Sequence, residues 1–190
     1  MLTLRILRAG QAQTRQVRLE ATAGAHELVP GSRYDRRPSY YIYGGLVFCP
    51  LTLDYLRTWG ETWVTDAPTQ LLHYYVSGRA SEPGEEVVLI IKVLPADLNT
   101  GYEAFVNQRI VAVNDQKIRN LRELVRAVEQ PDSDPFIVLT TEANARLVFD
   151  RAQAQRDHRT LLATYDITWD RSEDLRRLRV EHGAHVSQLP

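Results

Sequence analysis

The sequence predicts an α+β fold of short strands with two main helices, and three observations carry that prediction. Val87 to Leu94 is an almost unbroken apolar, β-branched run, as in a strand covered on both faces, and it is expected to be the central strand of the core. Asn120 opens a helix: it can act as N-cap, with Glu123 three residues on for a capping box, and Leu121, Leu124, Val125 and Val128 recur on one face. The stretch Tyr43-Gly44-Gly45-Leu46-Val47-Phe48 turns the chain sharply, because paired glycines reach positive φ without steric cost. Successive N–H groups at such a bend converge on one concavity that suits a carboxylate, although an ordinary tight turn reads the same way.

The other elements follow in chain order. Leu2, Leu4 and Ile6, then Val17 and Leu19, alternate around Arg8-Ala9-Gly10-Gln11 and predict a β-hairpin. A lone hairpin is only marginally stable, so it belongs against a larger unit. Gly24 to Pro38, with Pro30-Gly31-Ser32 and Arg33, Arg36 and Arg37, reads as a surface linker. Tyr41 and Tyr43 share one face of the strand that enters the glycine bend, with Tyr40 and Ile42 on the other. Leu53, Leu56 and Trp59 shift to helical spacing after Pro50 and Thr52, and Leu71 to Tyr75 is helix or buried strand. Pro95 to Tyr102 predicts a single helical turn, and Arg109 to Asn114 a strand closed by the Asn-Asp turn. Phe136 to Thr140 and Ala145 to Phe149 form a hairpin, and Asp150 caps the second main helix, to about Ala163. A charged tail follows Trp169.

Composition narrows the functions available. Hydrophobic residues at 44% and charged residues at 25% are those of an ordinary globular domain. Twenty-three basic against 24 acidic residues leave a net charge of -1, which provides no drive toward nucleic acid or an anionic membrane; neither is expected as a partner. No apolar run approaches a membrane span and no signal peptide is visible, so the chain reads as soluble. Cys49, the one cysteine, lies between Phe48 and Pro50 and reads as a small buried hydrophobe. Of five histidines only His182 and His185 are closely spaced, in a polar stretch, so no metal and no cofactor is expected. No nucleotide-binding glycine motif and no serine nucleophile motif occurs, and no catalytic residues are assigned.

Gly45-Leu46-Val47-Phe48, the Val87 to Leu94 strand, Ala96-Asp97, Val113-Asn114-Asp115 and Asn120-Leu121-Arg122-Glu123-Leu124 together resemble a PDZ domain. More narrowly, Tyr41 to Leu51, Asn99-Thr100-Gly101-Tyr102-Glu103, Val106-Asn107-Gln108 and Leu147 to Asp150 resemble the last PDZ-like domain of HtrA/Deg-type, trypsin-like serine proteases. The resemblance covers about Pro38 to Leu175. It implies a PDZ-like partial β-barrel over 39–175, preceded by a hairpin (1–22) similar to the end of another PDZ domain and a linker (23–38). A C-terminal helical extension leads into a polar tail (176–190).

The resemblance also implies a non-catalytic domain that binds C-terminal or internal peptide segments and regulates a protease, in the bacterial periplasm or a plant organelle. Its implied peptide-binding residues are Tyr43, Gly44, Gly45, Leu46, Val47 and Phe48, with loop amides for the carboxylate and Leu46 and Phe48 for a terminal apolar side chain. Glu123 and Ala127 would lie toward the ligand from the facing helix, although Glu123 also suits a capping role. Pro50 cuts short the donors that an added strand needs. The alternative is therefore an assembly module whose groove is filled by its own or a neighbouring chain, giving self-association.

Overall fold

A computed structural model describes residues 2–17, 27–32, 37–130 and 134–176. The expectations for Leu19, for much of the 23–38 linker and for residues 177–190, with His182 and His185, lie outside the described residues.

Strands β1 (Leu2–Arg8) and β2 (Gln11–Val17) pair antiparallel as the expected hairpin, turning through Ala9 and Gly10 at φ 52° and 76°. Leu4, Ile6 and Leu7 on it are exposed.

The part that carries the site begins at β3 (Tyr41–Tyr43), which returns through Gly44-Gly45 into β4 (Leu46–Pro50), and β4 pairs with β5 (Val88–Val93). One expectation needs correction: β4, not the β-branched run of β5, takes the middle of this three-stranded sheet, in the order β3-β4-β5. β5 is nevertheless covered on both faces. Val88 and Ile90 point into a first core with Phe48, while Leu89 faces a second core built on Leu51, Leu56 and Leu71. Its free side meets residues 107–109, where Asn107 N–H reaches the Ile90 carbonyl at 2.7 Å.

Three short helices cover the second core: α1 (Leu53–Leu56), α2 (Trp63–Asp66) and α3 (Thr69–Ser77). Thr52 caps α1 by accepting from the Tyr55 N–H at 3.1 Å. The Leu71 to Tyr75 cluster is therefore helical; Leu71 and Tyr74 are the buried residues of α3. The turn after β5 is a pair of 3₁₀ turns, Asp97–Asn99 and Tyr102–Phe105.

A second, four-stranded sheet closes the body in the order β7-β6-β8-β9, from β6 (Ile110–Val113), β7 (Gln116–Lys117), β8 (Phe136–Thr141) and β9 (Arg146–Asp150). Asn114 and Asp115, at φ 46° and 61°, make the tight turn between β6 and β7. Helix α4 (Leu121–Glu129) packs Leu121, Leu124, Val125 and Val128 into the first core, as its spacing predicts. Its cap is half of the expected box. Asn120 Oδ1 accepts from Glu123 N–H at 2.9 Å, but the Glu123 carboxylate accepts from the N–H of Arg119, at 2.8 Å, because the Arg119 guanidinium also draws it there. Helix α5 (Arg151–Thr164) is capped by Asp150, which accepts from Gln153 N–H at 2.7 Å. Among the described residues, no helix is long and apolar enough to cross a membrane.

Candidate functional site

The double-glycine bend is a two-residue hairpin turn closed by the Tyr43–Leu46 pair, with Gly44 at φ 56° and Gly45 at φ 82°. Positive φ at both positions matches the twist of a two-residue hairpin, which is why glycine is required twice. Close packing adds a second reason. A Cβ on Gly44 would lie 2.4 Å from the Phe149 ring, and one on Gly45 would lie 2.2 Å from Asn99 Nδ2 and 2.6 Å from the Leu94 carbonyl. Asn99, only 1% exposed, donates from Nδ2 to the carbonyls of Gly44 and Leu94, both at 2.8 Å, and accepts from Ala96 N–H. The Gly45 carbonyl accepts from Leu94 N–H at 2.7 Å. Both turn carbonyls are thus taken, and the turn is locked against the 95–99 loop.

Leu46 and Phe48 are wholly buried in the first core, stacked between the two sheets. The alternation along β4 turns both inward in this structure. Val47 points the other way, partly buried against Ile42, Leu94 and Leu161. Tyr43 packs edge-on to Phe149 with ring centroids 5.8 Å apart. Glu123 is bound to Arg119 at the start of α4, and Ala127 rests partly buried on the first core.

The strand edge beside the turn belongs to β3, since β4 has neighbours on both sides. That edge is occupied. Residues 170–172 run antiparallel along it, with a Tyr41–Arg171 bridge, Ile42 N–H donating to the Asp170 carbonyl at 2.7 Å and Ser172 N–H to the Tyr40 carbonyl at 3.0 Å. Ser172 Oγ also accepts from Tyr40 N–H at 3.1 Å.

Charge holds this segment in place. Arg171 is 3% exposed and lies over the Tyr41 ring, 5.0 Å from its centroid. It forks onto the neighbouring Asp170 at 3.0 and 2.8 Å and donates to Glu129 at the end of α4. Burial works against the charge on Asp170, but hydrogen bonds from His158 and Arg171 outweigh it and hold its carboxyl well below the usual range. Burial likewise opposes the Arg171 cation, and its two carboxylate partners more than restore it. A second clasp follows: Asp174 accepts from Ser39 at 2.8 Å and Ser172 at 2.6 Å.

Between β3, the last turn of α4, α5 and this segment lies a cavity of about 380 Å³, lined by Tyr41, Tyr43, Glu129, Arg151, His158 and Arg171 among others. Glu123 and Ala127 are not among the residues that line it. Sequence reasoning missed the segment and Arg151. Trp169-Asp170-Arg171-Ser172 has no apolar alternation, since its burial rests on ion pairing. The one signal was a cluster of charges following a Trp. Among the described residues, no cluster of His, Cys, Asp or Glu is arranged to hold a metal ion.

Comparison with known proteins accords with this geometry. The chain is 30% identical over 172 residues to "Putative protease Do-like 3, mitochondrial" of Arabidopsis thaliana, covering 90% of this chain and 28% of that protein. It is 31% identical over 170 residues to "Protease Do-like 2, chloroplastic" from the same plant, covering 90% and 27%. With "Serine protease DegP homolog" of Plasmodium falciparum it shares 31% over 103 residues, 54% of this chain and 11% of the relative. The chain therefore spans little more than a quarter of the length of these two plant relatives. The sequence model of the PDZ domain matches residues 29–174, the stretch that contains the glycine turn, both sheets, α4 and the segment paired with β3. The chain belongs to the PDZ domain family, in the form found in the Do-like, HtrA/Deg-type proteases.

Proposed function

We propose that this chain is a non-catalytic interaction domain of a Do-like serine protease in which the strand edge beside the double-glycine turn is filled from within. The domain then serves assembly and regulation of the protease through its other surfaces instead of open capture of peptide ends. The observation that supports this reading is the pairing of residues 170–172 with β3, with main-chain bonds of 2.7 and 3.0 Å, along the strand edge beside the glycine turn. An added strand gains affinity from main-chain hydrogen bonds, and here those donors and acceptors already have partners.

Fluorescent heptapeptides with free-acid and amidated ends test the proposal, together with sedimentation over a range of concentrations. The wild-type chain should bind none of them more tightly than about 100 µM. Ser172→Pro, which removes the N–H given to Tyr40, should open the edge and tighten binding about ten-fold or more. Wild-type binding as tight as that of the variant would overturn the internal-strand reading. A single monomeric species at every concentration would remove self-association from it. A second reading, capture of C-terminal peptides, is favoured by the cavity beside Tyr43, and a strong loss of wild-type affinity on amidation would establish it.

A further inference from the structure

Strand β9 is the last of its sheet, so one of its edges has no neighbouring strand. Its ladder with β8 is bracketed by Thr141 N–H donating to the Ala145 carbonyl and Arg151 N–H donating to the Pro135 carbonyl, both at 2.9 Å. Hydrogen-bonded pairs alternate along an antiparallel ladder, so Leu147 and Phe149 spend their main-chain groups on β8, while Arg146, Val148 and Asp150 turn theirs to the open side. There the Tyr102 hydroxyl takes both groups of a single residue. It donates to the Val148 carbonyl and accepts from the Val148 N–H, each at 2.9 Å. Among the described residues, no other hydrogen bond reaches the Arg146 or Val148 main chain from that side.

An open strand edge is a template for pairing with another chain, and a side chain that imitates a neighbouring strand blunts it. Tyr102 is seated to do so: it opens the 3₁₀ turn that follows Gly101, and its ring meets Phe149 and Phe105 edge-on with centroids 5.3 and 6.1 Å away. The plug covers Val148 alone. On the sheet face beside this edge Val148 and Phe136 are each 45% exposed, and Val138 lies directly across from Val148. Along the edge that face reads Arg146, Val148, Asp150: a cation, an apolar side chain and an anion at equal spacing. Such a strand is complementary to itself. Laid antiparallel about a two-fold axis at Val148, it sets Val148 against its own copy and Arg146 of each chain opposite Asp150 of the other. Neither charge is strongly engaged now, since Arg146 lies 3.8 Å from the exposed Asp115 and Asp150 accepts from Gln153 N–H through one oxygen.

We propose that the outer edge of β9 is a self-pairing site, where a second copy of this chain adds its own β9 antiparallel, and that Tyr102 is the plug whose release opens it. The two four-stranded sheets then run on as one across the two-fold axis, and the Val148 and Phe136 patch lies at the join. The arrangement of charge along β9 selects a second copy over a foreign strand. The proposal rests on the assembly role given above, for which it names the surface and the partner, and the occupied β3 edge plays no part in it.

The test combines sedimentation with an NMR dilution series of the full chain, from about 1 mM down to about 20 µM. The Arg146, Val148 and Asp150 amides should shift with concentration, and Tyr102→Phe, which deletes only the hydroxyl, should tighten association about ten-fold. Adding Arg146→Glu to that variant sets like charges opposite each other and should reverse the gain. Val148→Cys reads the site without either change. A hydrogen-bonded antiparallel pair holds its Cα atoms about 5.5 Å apart, within disulfide reach, so with oxidised glutathione this variant should cross-link at least about ten-fold faster than Val64→Cys, although Val64 is 61% exposed. Cys49 is buried and does not compete. An amidated peptide of residues 146–150 should shift the same amides and dissolve the dimer. Association of Tyr102→Phe no tighter than wild type, self-association with the β9 amides silent, or Val148→Cys no faster than Val64→Cys would each overturn the proposal. Peptide binding to a chain that stays monomeric would overturn it too, and would give the edge to a foreign strand. Self-association with silent β9 amides leaves the assembly reading standing, so the two can fail separately.

Discussion

Replacing Arg171 by alanine removes the residue that ties segment 170–172 to both β3 and α4. The variant loses a fork onto Asp170, a bond to Glu129 and a cation held over the Tyr41 ring, all from a side chain 3% exposed. Breaking a buried ion pair by deleting one partner costs about 3–5 kcal/mol, mostly because a charge is left unmatched. The stranded partners here are 21% and 34% exposed, so water recovers part of that loss and the lower end, about 3 kcal/mol, applies. For a chain of this size that corresponds to a fall in Tm of about 6–12 °C. Glu129→Gln, which removes only the more exposed carboxylate, should cost about 1 kcal/mol.

The loss should also be local before it is global. Ile42 donates its N–H to Asp170, so its amide exchange in Arg171→Ala should quicken by about two orders of magnitude relative to the amides of β4, which do not depend on the segment. Thermal denaturation and amide exchange by NMR provide both readings. A melting point within about 2 °C of wild type, with Ile42 as protected as before, would refute the reasoning that charge pairing holds this strand.

Three further outcomes follow from the same geometry. Gly45→Ala should destabilise by about 3–5 kcal/mol and Gly44→Ala by somewhat less, because both incur left-handed backbone strain, but the Gly45 Cβ meets a main-chain carbonyl that cannot retreat while the Gly44 Cβ meets a ring; chemical denaturation that ranks Gly44→Ala as clearly worse would contradict this. Cys49 is buried, donates to the Ser39 carbonyl at 3.0 Å, and has its thiol pushed up to about 12 by burial and then by the Glu86 charge. At pH 8 it should react with a disulfide reagent about a thousand-fold more slowly in the native chain than in urea, and a native rate within ten-fold of the denatured one would be the contrary result. The Asp170 and Asp174 carboxyls are held low by hydrogen bonds that overcome burial, so the unfolded chain takes up protons first as pH falls. Their stabilisation is complete about a unit above the unfolded Asp value of roughly 3.9 and drains away below that, so Tm should fall from about pH 5 downward, less steeply in Asp170→Asn; equal slopes would argue against it.

The local elements were legible in the sequence because each is written in neighbouring residues. Asn120 with the Leu121, Leu124, Val125, Val128 stripe defined α4 and its core face, and Asp150 marked the start of α5. The paired glycines declared a turn of positive φ whatever they pack against. The family, too, is carried by short runs such as Gly45-Leu46-Val47-Phe48, which need no long-range information to recognise.

Tertiary structure alone decided what the turn packs against. Leu46 and Phe48 look alike as core or as ligand pocket in a one-dimensional reading; the two sheets close over them and make them core. The place of β4 in the middle of its sheet depends on β3 folding back, and no periodicity within β5 records that. Asp170-Arg171-Ser172 reads as solvated polar chain, because ion pairs formed across more than forty residues, from Arg171 to Glu129, leave no hydrophobic pattern. Arg151 and Tyr43 stand far apart in sequence and have no common motif. Only the packing of α5 against β3 sets both beside one cavity.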